Sequence, residues 1–250
     1  MVWIAWVWAC IGLAGANPVF EMGFADGQGQ FSNNSTLNQQ TVDFILEANS
    51  TVELAVFNLS DRFGGTSVTD ALIDRHNALG PGAVRVVVDT DAWSNGAVQD
   101  LLAAGVSVID DQGDPDEMHH KFVVIDGQSV WTGTANFTDS GFSSQDNAAL
   151  RINDPTIAAA YVAEFDEMWA GVFKEASPPT LTTDYVVAGR DVRVLWGAED
   201  DPIDDPVLGL RSYVAAATTS VHFGIYVFTG EVGDPYRHLE DELSVPAGIN

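Results

Sequence analysis

Cysteine is almost missing from this chain. Cys10 stands alone among 250 residues, which excludes an intramolecular disulfide, and because it lies in the apolar segment 1–16 that is expected to be removed, thiol chemistry is excluded from the mature chain as well. Basic residues are scarce as well: 10 Lys and Arg face 36 Asp and Glu, for a formal net charge of −26. A field of that sign disfavours non-specific binding to nucleic acid or to anionic lipid surfaces. It suits either plain solubility or a salt-rich medium, and composition does not choose between them. Apolar runs are short. The longest uncharged one, Met1 to Ala16, has about sixteen residues where a membrane span needs about twenty. It ends in Ala14-Gly15-Ala16, the small-residue pattern of a signal-peptide cleavage site, although no Lys or Arg precedes it. Residues 1–16 are therefore expected to be a signal peptide, the mature chain to start at Asn17 without a stable membrane anchor, and the protein to be secreted or periplasmic. With 46% hydrophobic and 10% aromatic residues, the remainder is globular, and its length allows a sizeable core.

What is present is concentrated in Met118 to Asn136. Phe122 to Ile125 is a β-branched-rich apolar run, and Ser129 to Thr132 can form a second. Between them lies Asp126-Gly127, a dipeptide suited to the two-residue hairpin turn whose central positions both take positive φ. Counting outward from that turn pairs Ile125 with Gln128, Lys121 with Thr132 and His119 with Thr134. Period-two alternation then sets His119, Lys121, Thr134 and Asn136 on one face, and His120 on the other. An imidazole, an ammonium, a hydroxyl and an amide at one end of a hairpin suit a phosphate: the imidazole can attack phosphorus while the others hold its oxygens.

The spacing of His119, Lys121 and Asp126, followed by Gly133-Thr134-x-Asn136, resembles the HKD signature of the phospholipase D superfamily. The resemblance implies a metal-independent phosphodiesterase, with no cofactor, acting through a phosphohistidine. His119 would be the nucleophile, Lys121 and Asn136 would bind phosphoryl oxygens, and Thr134 would stand where Ser is usual. A second copy of the motif would protonate the leaving oxygen. Asp146 fits the acidic residue that orients an imidazole in the family, with a strand-edge aspartate as the plainer alternative. The turn positions of Asp126 and Gly127, like Gly133, suggest structural roles.

Strands alternate with helices over the rest of the chain: helix 37–49, strand 52–59, helix 67–79, strand 84–89, helix 95–104, strand 106–109, then the hairpin, strand 148–152 and helix 155–173, after an irregular lead-in over 17–35. The expected fold is α/β, an α/β/α layered sandwich with a mixed sheet, spanning 17–175. The acidic loop 110–117 reads as solvated rather than as a Ca²⁺ site, because ordered ligand spacing is missing. A linker is expected at 176–183. Beyond it, Tyr213 to Thr229 resembles Phe44 to Ser60 without a gap, with Val221 aligned on Val52, so 184–250 is expected to be a truncated second repeat. The second motif would then come from a missing C-terminal half or from a homodimer partner.

Three functions are compatible with this reading. The leading one is hydrolysis or transfer at a phospholipid headgroup. An endonuclease acting on DNA or RNA is the alternative within enzymes, and a non-catalytic phosphate-binding module is the alternative outside them. A nuclease needs a basic groove, which a chain with so few cations can hardly build. A binding module should lack a chemical residue of the motif, and none is missing here.

Overall fold

The computed structural model describes residues 19–25, 36–61, 67–113, 117–173 and 184–196, with positions 216 and 218. Compactness divides the chain into two units, the first comprising essentially 15–173 with 185–191. The linker expected at 176–183, the leader 1–16 and the echo over 213–229 lie outside the described residues.

The first unit is built on a seven-stranded mixed sheet. In chain order its strands are β1 (Phe20–Ala25), β2 (Val52–Val56), β3 (Val84–Val88), β4 (Ser107–Asp110), β5 (Lys121–Ile125), β6 (Ser129–Gly133) and β7 (Asn147–Ile152); its helices are α1 (Thr36–Leu46), α2 (Val68–Leu79), α3 (Gly96–Ala103), α4 (Asp139–Ser143) and α5 (Pro155–Trp169). The spatial order is β1-β7-β6-β5-β2-β3-β4. β2, β3 and β4 run parallel and are joined through α2 and α3, whereas β5, β6, β7 and β1 are antiparallel. The lead-in expected to be irregular supplies β1, whose backbone pairs with β7. Tyr185 to Asp191 belongs to a small hairpin of β8 (Asp184–Val187) and β9 (Arg190–Arg193), closed by the Arg193 to Asp184 ion pair.

Alternation along the central strands feeds two cores. Val52, Leu54 and Val56 of β2, with Val84, Val86 and Val88 of β3, pack with Phe44 and Ile45 of α1, Leu72 of α2 and Leu101 of α3. The intervening positions face α5. Phe122 meets Tyr161 of α5 edge-on at 5.1 Å, and buried Glu53 of β2 pairs with Arg85 of β3 at 3.3 Å, which reaches Asp166 of α5 at 2.9 Å. Helices thus cover both faces, and the layered sandwich read from the sequence is what the chain forms.

Caps explain the helix starts. Ser67 accepts from the Asp70 amide ahead of α2, and Asp154 accepts from the amides of Thr156 and Ile157, with Pro155 in the first turn of α5. α1 starts at Thr36, one residue before the expected 37, and ends at Leu46 rather than at 49. α5 likewise stops at Trp169, before Gly171 with its φ of 83°.

Candidate active site

The hairpin of β5 and β6 carries the motif. Its turn forms as the dipeptide dictates: Asp126 and Gly127 have φ of 56° and 60°, and the Gln128 amide donates to the Ile125 carbonyl at 2.9 Å. The ladder beyond it differs from the counted one. Ile125 pairs with Ser129 and Phe122 with Thr132, so Gln128 is an extra residue and every partner moves by one place.

That shift overturns part of the expected face. Lys121 is no longer opposite Thr132, and Thr134 does not share a face with His119 and Lys121. The Thr134 hydroxyl donates to the Asn147 side chain at 2.8 Å and accepts from the Ala148 amide at 3.0 Å. Thr134 therefore stitches the end of β6 to β7. Gly133 allows this seam, because a Cβ there would lie 2.4 Å from the Ala148 carbonyl oxygen.

His119 and Lys121 come together at the open end of β5, where the continuation of β2 passes. The Phe57 amide donates to the His120 carbonyl at 2.9 Å. The Phe57 ring lies 5.0 Å from the His119 imidazole and 5.4 Å from the Lys121 ammonium. Lys121 is buried and donates to the His119 carbonyl at 2.9 Å. From the other side, the Phe137 amide donates to the Asn58 carbonyl at 3.0 Å and Leu59 bridges Phe137, which brings the Asn136 segment to the same strand end. Among the described residues, Nδ1 of His119 and Oδ1 of Asn136 are buried without a hydrogen-bond partner. Arg75 Nε and His76 Nδ1 on α2 are likewise buried without a partner, so the two atoms gain their meaning from the motif that carries them.

The electrostatics follow from burial. His119 is held down to about 4, first by desolvation, then by the positive charges of Lys121 and His120. Its imidazole is neutral at pH 7 and carries the lone pair a nucleophile needs. Lys121 is lowered to about 7, again chiefly by desolvation, against which Glu117 and Asp89 raise it. An arriving phosphate would favour its protonated form.

The remaining motif positions have other partners. The Asp126 carboxylate accepts from the amides of Asn49, Ser50 and Thr51 and from the Ser50 hydroxyl, at 2.7 to 3.1 Å. It ties the hairpin turn to the loop between α1 and β2. Asp146 is exposed ahead of β7. His120 turns away from His119 and its Nε2 lies 3.0 Å from the buried Glu164 carboxylate on α5. In the acidic stretch, Asp111 accepts from the Thr90 amide and hydroxyl, and Asp110 from the Gln112 amide. Among the described residues no group of three or more His, Cys, Asp or Glu is placed to hold a metal ion.

Phe57 and Glu164 were not among the sequence candidates. Phe57 looked like one more apolar residue of a strand, and Glu164 like the polar face of a helix; only their placement gives them a role.

Residues 41–169 match the family described as "Cardiolipin synthase, PLD-like domain". The chain is 37% identical over 127 residues to the mitochondrial cardiolipin hydrolase of Xenopus laevis, covering 50% of this chain and 57% of that protein. It is 32% identical over 127 residues to the human protein of the same name, covering 50% of this chain and 48% of that one. It thus spans about half the length of the curated relatives it matches. Among solved structures, a phospholipase D family member, Nuc from Salmonella typhimurium, superposes with a TM-score of 0.51 at 18% identity, over 70% of this chain and 98% of the other, a likeness of fold. The relatives are named mitochondrial, which contradicts the secreted or periplasmic location expected from residues 1–16. Match, motif and fold agree, and this chain belongs to the phospholipase D superfamily.

Proposed function

We propose that this chain hydrolyses phosphodiesters of phospholipids through a covalent phosphohistidine on His119. One observation carries the reading. A half-buried imidazole, held neutral at pH 7 and with a buried, unpaired Nδ1, lies at the same strand end as the buried Lys121 ammonium and the Asn136 segment. A tetrahedral anion there would favour the charged form of Lys121, and Nδ2 of Asn136 is the side-chain donor that could reach a phosphoryl oxygen.

The steps use these groups in turn. The imidazole lone pair attacks phosphorus, a nitrogen–phosphorus bond forms, and the bond to the leaving alcohol breaks. The leaving oxygen takes a proton from a second imidazole, supplied by another copy of the motif in a further part of the protein or in a homodimer partner. Water then attacks phosphorus, releases the phosphate product and returns the proton. Lys121 and the Asn136 amide bind the oxygens on which charge builds. Thr134 and Asp126 hold the strands that carry them.

The relatives' names point to cardiolipin as substrate and to mitochondria as setting. A net charge of −26 opposes polynucleotides and anionic vesicles alike, so the relatives' names, not charge, make nucleic acid the less favoured substrate. The test is incubation of the purified protein with cardiolipin vesicles and, in parallel, with plasmid DNA, for wild type and His119→Ala. Release of phosphatidic acid by wild type alone supports the proposal. Cleavage of DNA without lipid turnover moves the substrate to nucleic acid. Lipid turnover by His119→Ala at the wild-type rate removes the nucleophile assignment.

A further inference from the structure

The side chain nearest to both His119 and Lys121 outside the motif is an aromatic one. We propose that Phe57 is a positioning residue, whose ring fills the space between the His119 imidazole and the Lys121 ammonium, fixing both toward the phosphate and keeping water from them. The inference rests on the phosphodiesterase reading for its catalytic consequence and on geometry for its physical one.

Three contacts converge on this residue. Its ring is tilted 53° to the His119 imidazole with centroids 5.0 Å apart. Lys121 Nζ lies 5.4 Å from the ring centroid, within cation–π range. Its backbone amide donates to the His120 carbonyl, the residue between the other two. The next residue, Asn58, accepts from the Phe137 amide through its carbonyl and from Asn95 Nδ2 through its side chain at 3.1 Å. Phe57 thus stands where the strand carrying His119 and Lys121 meets the segment carrying Asn136.

The ring's effect is chemical as well as steric. The charges of Lys121 and of His120, whose ring points to Glu164, both oppose protonation of His119. Those that face Lys121 include Glu117 and Asp89, which favour its charge. In each case desolvation by burial is the largest influence, and the Phe57 ring is a surface near both side chains. Removing the ring lets water reach both nitrogens, so both values rise toward those of the free side chains. At neutral pH the imidazole then begins to carry a proton and competes poorly as a nucleophile, and neither group is held in place.

The experiment is an NMR titration of the His119 ring protons in the full chain, without substrate, in wild type, Phe57→Ala and Phe57→Leu. Folding of each variant is verified from amide dispersion, and the pH profile of kcat/KM is recorded on cardiolipin vesicles. In Phe57→Ala the His119 midpoint should rise by more than about one pH unit from its wild-type value. Leucine, which keeps apolar bulk without the ring, should give a smaller rise of the same sign. The acid limb of kcat/KM should move with the midpoint, and kcat/KM at pH 6 should fall by about tenfold or more in Phe57→Ala, with kcat falling more than KM rises. An unchanged His119 midpoint in folded Phe57→Leu and Phe57→Ala overturns the inference, even if both are less thermostable. Because the titration needs no turnover, an inactive wild type would sink the functional reading while leaving this test intact.

Discussion

Lys121→Met should make the protein more stable and inactive at once. The lysine is 4% exposed, and burial takes it from 10.5 down to about 7. In the unfolded chain at pH 7 it is fully protonated, so folding must desolvate that charge or shed the proton. Between 10.5 and about 7 lie roughly 4 to 5 kcal/mol acting against the fold at neutral pH, since one pH unit corresponds to about 1.4 kcal/mol. Methionine keeps the aliphatic stem and its packing against Phe57, but it leaves the His119 carbonyl without its 2.9 Å donor. That loss costs about 1 to 2 kcal/mol, so the net gain is about 2 to 4 kcal/mol at pH 7.

The pH dependence separates this account from ordinary packing. Because the folded lysine binds its proton less tightly than the unfolded one, the penalty is complete below about 7 and fades as pH climbs to 10.5. His119 contributes nothing to that slope, since its own penalty begins only below 6.5. Wild-type stability should therefore rise between neutral and alkaline pH relative to Lys121→Met, in paired urea melts followed by tryptophan fluorescence. Turnover by the variant should fall by about a hundredfold or more through lost oxyanion stabilisation. A Lys121→Met protein less stable than wild type at pH 7, or a gap between the two that stays constant with pH, would refute the reasoning.

The pH profile of kcat/KM should be a bell, rising through about 4 as His119 loses its proton and falling through about 7 as Lys121 loses its own; a single limb near the ordinary histidine value contradicts the assignment. Asp126→Ala strips the acceptors from three amides and a hydroxyl, and should lower stability by about 2 to 3 kcal/mol in urea melts. Burial raises the Asp126 carboxyl, but these donors outweigh it and hold it below 3.8. Its stabilisation is thus present above 3.8 and lost as pH falls through the folded value; equal melts for mutant and wild type across that range would show that the anchor contributes nothing. Gly133→Ala forces a Cβ to within 2.4 Å of the Ala148 carbonyl and should cost about 2 to 4 kcal/mol, read by thermal melting. Turnover of anionic cardiolipin vesicles should rise with added salt, as screening weakens the repulsion from a net charge of −26; a fall with salt would indicate a basic docking patch instead. EDTA should leave the rate unchanged, and inhibition would point to a metal.

Sequence alone determined whatever depends on near neighbours. Asp126-Gly127 fixes its turn because both residues tolerate positive φ. The apolar runs Val52 to Val56 and Val84 to Val88, set between helical stretches, call for buried strands, and the spacing of His119, Lys121, Asp126 and Asn136 carries the resemblance to the phospholipase D superfamily. Tertiary structure decided the register and the company each group keeps. The ladder slips by one place because Val123 and Trp131, now paired, both bury in the core that holds Phe44, while Phe122 packs on Tyr161 on the other face. Thr134 goes to β7, Glu164 reaches His120 from 44 residues away, and Phe57 enters the site from another strand. Turn chemistry acts over two or three bonds along the backbone, whereas desolvation, and with it the proton affinity of His119 and Lys121, is set by whichever side chains the completed fold packs around them.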